Sequence, residues 1–267
     1  MNYKLLFPTY RNRYLFIRRN LERIAAERPF NYALNLGAGE GDYDGMIARH
    51  CNRLMSCDIN EQDIHYARAL NAAVPNLEYQ VEDALNLSFA DNTFDLVISV
   101  EVIEHVGRPE RMIEEIQRVL KPDGFALITF PSLDFPFTYD PINRLLSFFT
   151  DKKISQGAYA FGHEYLVSKT DFRTWSEKNH LAVVQEQNLS GYLVGLLEMY
   201  WTGIIQYIFK ANATNLPDDK KKKIALRPSV KEPFFARLTD LIINLDKALF
   251  RNARNSVGMG YIIQKKG

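Results

Sequence analysis

Apolar positions along this chain follow two rhythms. Between residues 8 and 27, Tyr10, Tyr14, Ile17, Leu21 and Ile24 recur at three- or four-residue spacing, which predicts an N-terminal helix. Compact apolar runs then appear at 32–36, 53–58, 77–82, 94–100 and 125–130. Runs of this length suit strands buried on both faces. The intervals 43–49, 61–71 and 109–120 carry helical spacing instead. Such alternation predicts an α/β fold, a doubly wound parallel sheet with helices on both faces. Later, 170–178 reads as a helix capped by Ser168 or Thr170, and 181–189 and 259–264 read as strands six and seven.

Two stretches break the rhythm. Residues 131–163 are rich in aromatics and turn formers and are too long for a simple connection, so they are expected to form a lid or acceptor-binding insertion. Residues 190–256 form a second, helical insertion between the last two strands. It includes the apolar stretch 192–209, which also holds Glu198, Gln206, Gly195 and Gly203. A mid-span carboxylate is costly in lipid, which favours a buried or cap helix over a membrane span and leaves peripheral membrane contact open. The charge block at 218–223 reads as a solvated loop. The expected organisation is one domain over 1–267: a helical segment at 1–30, a ligand-binding half at 31–130, and the two insertions.

Composition changes this picture little. A chain of 267 residues with 46% hydrophobic and 24% charged residues has ample material for one core. Its formal net charge of +1 gives no general drive towards nucleic acid. Cys51 and Cys57 lack metal spacing and read as ordinary thiols in a reducing compartment. The N-terminus interleaves Lys4, Arg11, Arg13, Arg18 and Arg19 with aromatics rather than carrying a secretory signal, so a cytoplasmic location is expected.

The most informative chemistry follows the first strand. Leu34-Asn35-Leu36 runs into Gly37-Ala38-Gly39-Glu40-Gly41, three glycines at alternate positions in a strand-to-helix turn. Glycine tolerates positive φ and lets backbone approach a ligand closely. In open α/β sheets, nucleotide-like ligands bind at such turns. The dinucleotide fingerprint needs a third glycine where this chain has Asp42, which argues against a nicotinamide or flavin cofactor.

Read with the segments downstream, the chain resembles the class I S-adenosylmethionine-dependent methyltransferases. Their glycine motif is matched by 34–41, and their acidic position after the second strand by Asp58, followed by Ile59. Asp83 and Ala84 stand where the family meets the adenine. Asp91-Asn92-Thr93-Phe94-Asp95-Leu96-Val97 and Leu120-Lys121-Pro122-Asp123-Gly124-Phe125 resemble its approaches to strands four and five, with Asp123 replacing a glycine. The resemblance implies a Rossmann-like fold and S-adenosylmethionine held by Gly37, Ala38, Gly39, Gly41, Asp58, Ile59, Asp83, Ala84 and Val100.

Past strand four, Glu101, Glu104 and His105 form an E-x-x-E-H grouping, and His163 precedes an aromatic segment. The grouping is similar to that of ubiquinone-pathway O-methyltransferases and of small-RNA 2′-O-methyltransferases, where it implies a divalent metal held by Glu101, Glu104, His105 and His163. Ordinary superfamily members carry a similar Glu-His pair without metal. Under either reading His105 or His163 serves as base or hydrogen-bond partner for the acceptor, since imidazole is suited to proton transfer near neutral pH. The leading expectation is methyl transfer to oxygen of a small or lipid-linked acceptor. Metal-assisted RNA methylation and a non-catalytic cofactor-binding scaffold are the competing readings.

Overall fold

The computed structural model describes residues 2–135, 145–150, 165–195, 197 and 231–267. Helix α1 (Pro8–Glu27) opens with proline in its first turn, where no backbone donor is lost, and leads into β1 (Phe30–Leu36). There follow α2 (Asp44–Ile47), β2 (Cys51–Asp58), α3 (Glu61–Leu70), β3 (Leu77–Val81) and β4 (Phe94–Val100). After these come α4 (Pro109–Val119), β5 (Leu120–Pro131), α5 (Lys169–Lys178), β6 (Leu181–Ser190), α6 (Ala236–Leu249) and β7 (Gly258–Lys265). Ser168 caps α5 by accepting from the Asp171 N–H, and Asn60 caps α3 by accepting from the Gln62 N–H.

The seven strands form one sheet in the order β3-β2-β1-β4-β5-β7-β6. Pairings from β3 across to β5 are parallel, in line with the alternation read from the sequence. The parallel expectation fails at β7, which runs antiparallel between β5 and β6. The pairing shows how: Gly258 at the start of β7 lies opposite Ser190 at the end of β6, and Lys265 lies opposite Leu181, so β7 runs back along its sequence neighbour.

Side-chain alternation divides the core between the two faces. Leu34, Val97, Ile128, Phe130 and Tyr261 join Met112, Ile113 and Ile116 of α4 and Phe172 of α5 on one face. Ala33, Leu96, Ile98, Leu127 and Ile262 join Phe16, Ile17, Leu21 and Ile24 of α1 on the other. Each fully buried aliphatic or aromatic side chain of this kind contributes roughly 1.5–3 kcal/mol. The strand order reverses between β1 and β4, so the crevice beyond their carboxyl ends is the topological switch point of the sheet. The free thiols Cys51 and Cys57 are half-buried and buried, respectively.

Candidate functional site

At the end of β1 the chain turns through Gly37, Gly39 and Gly41 with φ values of 74°, 53° and 82°. The Gly37 and Ala38 N–H groups both donate to the Cys57 carbonyl at 2.8 Å, which anchors the turn to β2. Asp58, the last residue of β2, accepts from the Gly39 N–H at 2.8 Å through one oxygen and from the Asn60 N–H at 2.9 Å through the other. Its carboxylate therefore joins the first two loops at the carboxyl edge. A Cβ on Gly37 would stand 2.2 Å from Val102 Cγ2, whereas a Cβ on Gly39 would meet nothing within 4 Å. Gly37 is required by packing. Gly39 faces open space.

Beneath the turn lies a buried polar network built around Asp44. Its Oδ1 accepts from Asn35 Nδ2 at 2.7 Å and Ser56 Oγ at 2.5 Å, and its Oδ2 accepts from the Tyr79 hydroxyl at 2.7 Å. Asn71 Nδ2 donates to the Gly41 carbonyl at 3.0 Å and to the Tyr79 hydroxyl at 3.0 Å, which ties the network to the turn. Burial raises the Asp44 pKa and the three donors oppose it.

Gly37, Ala38, Gly39, Val100 and Glu101 line a cleft of about 200 Å³ above this scaffold, with Asp42, Tyr43 and Asp63 on its flank. The N-terminal segment covers it through Lys4, Tyr10 and Arg13. Lys4 bonds Asp42 and stands 3.5 Å from Glu40; burial opposes its charge, but the two carboxylates prevail and its pKa is raised. Arg13 donates to Glu101 Oε2 at 2.9 Å, and Thr129 Oγ1 donates to Glu101 Oε1 at 3.0 Å. Glu101 itself has a φ of 55°, a strained value for a residue with a side chain, held by its N–H donating to the Thr129 carbonyl at 3.0 Å. Asp63 is pushed up to about 6 by burial, then by Asp58 and Glu40. Two buried polar atoms beside the cleft, the Tyr43 hydroxyl and Asp42 Oδ1, have no hydrogen-bond partner among the described residues. A buried polar atom left this way costs about 1–3 kcal/mol, which a polar ligand could relieve.

The sequence-predicted residues fall into three groups. Gly37, Ala38, Gly39 and Val100 line the cleft, and Gly41 and Asp58 brace the turn from behind. Ile59, next to Asp58, is 70% exposed, while Ala84 is buried. Asp83 is exposed and accepts from the Leu85 N–H at 2.8 Å, closing the loop after β3. The E-x-x-E-H residues diverge. Glu101 faces Arg13, Glu104 is fully buried with neither carboxylate oxygen hydrogen-bonded among the described residues, and His105 is exposed with Nε2 4.0 Å from Glu104 Oε1. Burial, then the charge of Glu101, raises the Glu104 pKa well above its usual range. Among the described residues no three His, Cys, Asp or Glu side chains converge as a metal site. His163 lies outside the described residues.

Sequence reasoning missed Asp44 and Asp63. Asp63 follows Asn60 by three positions and accepts from its side chain at 2.9 Å, so it presents as a helix-capping acid rather than a cleft residue. An aspartate three residues after a glycine turn, with Asn35 and Ser56 inward on apolar strands, was the available signal for the buried network.

Residues 34–128 match a family described as a methyltransferase domain. Over 140 residues the chain is 31% identical to a ubiquinone/menaquinone biosynthesis C-methyltransferase of Hydrogenovibrio crunogenus, covering 48% of this chain and 55% of that protein. Over 107 residues it is 35% identical to a ubiquinone biosynthesis O-methyltransferase of Parvibaculum lavamentivorans, covering 39% of this chain and 42% of that one. The chain thus spans about half the length of the curated relatives it matches. Its fold is shared with a phosphoethanolamine N-methyltransferase 2 of Haemonchus contortus, with a TM-score of 0.57 at 17% identity over 93% of this chain and 53% of that one. Residues 34–128, which hold the glycine turn and strands β2 to β4, are thus similar to a methyltransferase domain, and the seven-stranded sheet as a whole has the fold of that solved neighbour.

Proposed function

We propose that this chain transfers a methyl group from S-adenosylmethionine to an oxygen of a small or lipid-linked acceptor. The observation that carries the reading is the cleft at the switch point. It is floored by a glycine turn whose middle glycine faces open space and flanked by two buried polar atoms without a hydrogen-bond partner among the described residues. Those features fit a polar, nucleoside-bearing ligand held close to backbone. When bound, S-adenosylmethionine supplies an electrophilic methyl group on a sulfonium.

The protein's own contribution is positional. Gly37, Ala38 and Gly39 offer backbone to the ligand, Asp58 fixes the turn and retains acceptor capacity for ribose hydroxyls, and Ile59 offers an exposed apolar surface beside it. Asp83 and Ala84 contribute from the loop after β3. Lys4, Tyr10 and Arg13 cover the cleft and limit entry of water, which strengthens the polar contacts inside. Methyl transfer is an in-line displacement, so alignment of donor and acceptor is the main task. A hydroxyl acceptor must also lose its proton, a role suited to His105 or His163.

Transfer to oxygen draws support from the O-methyltransferase among the relatives, and a lipid-linked acceptor from the ubiquinone-pathway names of both relatives. Methyl-labelled S-adenosylmethionine incubated with polyprenyl catechols, simple phenols and small amines tests it. Label recovered as a methyl ether is the expected product. Label on carbon or nitrogen alone would overturn the oxygen assignment.

A further inference from the structure

Helix α6 buries Ala236 and Ile243 on its inward face yet leaves a second apolar face in solvent. Polar groups anchor that inward side as well: Asp246 accepts from the Gly191, Leu193 and Val194 N–H groups, Thr239 donates to the Leu6 carbonyl at 3.1 Å, and Asp240 receives Arg11 at 2.9 and 3.0 Å. The outward face carries Leu238, Leu241, Leu245 and Leu249, exposed by 59%, 63%, 50% and 62%. Phe234 and Phe235, 79% and 68% exposed, extend this stripe beyond the helix N-terminus. Spacings of three and four residues put the leucines on one side, along a helix about 21 Å long. Six large apolar side chains contiguous in solvent mark an interaction surface rather than scattered exposure.

The charges around the stripe identify its partner. Arg237, Arg251 and Arg254 are exposed at the two ends of α6, and Arg19 of α1 is exposed beside Lys247. Lys247 itself is half-buried; burial and then Arg19 lower its pKa while Asp246 and Asp240 oppose the shift, so the exposed cations of the rim are the arginines. The helix's own acids point the other way, with Asp240 engaged by Arg11 and Asp246 buried. A leucine and phenylalanine face rimmed by exposed arginines is complementary to the interface of an anionic bilayer, where apolar side chains enter the acyl boundary and cations meet headgroups.

We propose that α6 docks this chain onto anionic membrane surfaces, with its leucine face laid in the interface plane. The inference is independent of the acceptor. Among the described residues no helix is long and apolar enough to cross a membrane, so the contact is one of lying on the surface.

Vesicle cosedimentation tests it, using phosphatidylcholine alone and phosphatidylcholine containing roughly one third phosphatidylglycerol. The chain is expected to sediment with the anionic vesicles and to be released by high salt, as exposed charge pairs are screened. Leu241→Glu combined with Leu245→Glu should cut the bound fraction by roughly tenfold without lowering the melting temperature, because both side chains already face solvent. Arg251→Ala with Arg254→Ala should weaken binding to anionic vesicles only. A wild-type chain that stays in the supernatant overturns the proposal, as does a double glutamate variant that binds like the wild type. Absence of vesicle binding together with a dimer that the glutamate variant loses would assign the face to a second copy instead. Absence of vesicle binding together with a lowered melting temperature of that variant would assign it to residues 198–230 of the same chain.

Discussion

The glycine turn separates packing from binding at single residues. Gly37 and Gly39 share left-handed backbone, so alanine at either position incurs about 1–2 kcal/mol from φ alone. Only at Gly37 would the new methyl also collide with Val102, adding about 1–3 kcal/mol. Gly39→Ala is therefore expected to melt only about 2–6 °C below wild type yet to bind S-adenosylhomocysteine at least roughly tenfold more weakly, because the methyl enters the cleft. Gly37→Ala should lose about twice as much in melting temperature. Paired thermal melts and titrations check both, and equal melting losses would refute the division. Asp63 gives the site a pH dependence. Its folded pKa of about 6 lies above that of an unfolded aspartate, so the unliganded chain loses stability as pH rises from about 4 to 6. Binding of S-adenosylmethionine, which carries net positive charge, should tighten over the same window as Asp63 ionises. Titrations at pH 5, 6 and 7 should show this trend in wild type and its loss in Asp63→Asn. An unchanged slope in the variant would exclude Asp63 as its source.

At the scale of elements, the turn stands where it does because Asp44 ties α2 to β1, β2 and β3 through Asn35, Ser56 and Tyr79. Asp44→Ala leaves the buried Asn35 and Ser56 donors unmatched, while the Tyr79 hydroxyl keeps the Ala67 carbonyl, and should cost on the order of 3–5 kcal/mol, a far larger loss than its surface neighbours would show in denaturant melts. Arg11 performs the corresponding task for α1, holding it to Asp240 of α6 and to Glu232, which stands 2.6 Å away. Arg11→Ala should lower the melting temperature by about 2–6 °C and loosen the cover over the cleft, read as faster release of S-adenosylhomocysteine. Helices with strong periodicity were legible in the chain: α1 occupies the residues its spacing predicts, 8–27. Elements with mixed signals were not. The interval 43–49 splits into a four-residue helix and a 3₁₀ turn, with Gly45 inside the helical pattern. Strand β5 begins at Leu120 rather than near 125, because Lys121-Pro122-Asp123-Gly124 reads as a turn. The structure carries the strand through it with Asp123 at a φ of 62° and a register shift opposite Phe94 and Leu96.

Across the whole molecule, the order of elements and the glycine turn that lines the cleft were legible because each rests on local pattern: buried strands, and glycines at the end of the first of them. The direction of β7 was not, since it depends on how a long connection returns to the sheet and no local period records that. The same limit hid the clustering of Asp63, Lys4 and Arg13 around one cleft, which joins residues far apart in sequence. E-x-x-E-H shows the opposite case, in which a tight local motif diverges in space because Glu104 turns into the core while Glu101 turns towards Arg13. Everything proposed about chemistry depends on the cleft between β1 and β4 being the seat of the methyl donor. Isothermal titration of the intact chain with S-adenosylmethionine measures this directly: the account predicts saturable one-to-one binding that Gly39→Ala weakens, and an absence of heat at millimolar ligand would contradict it.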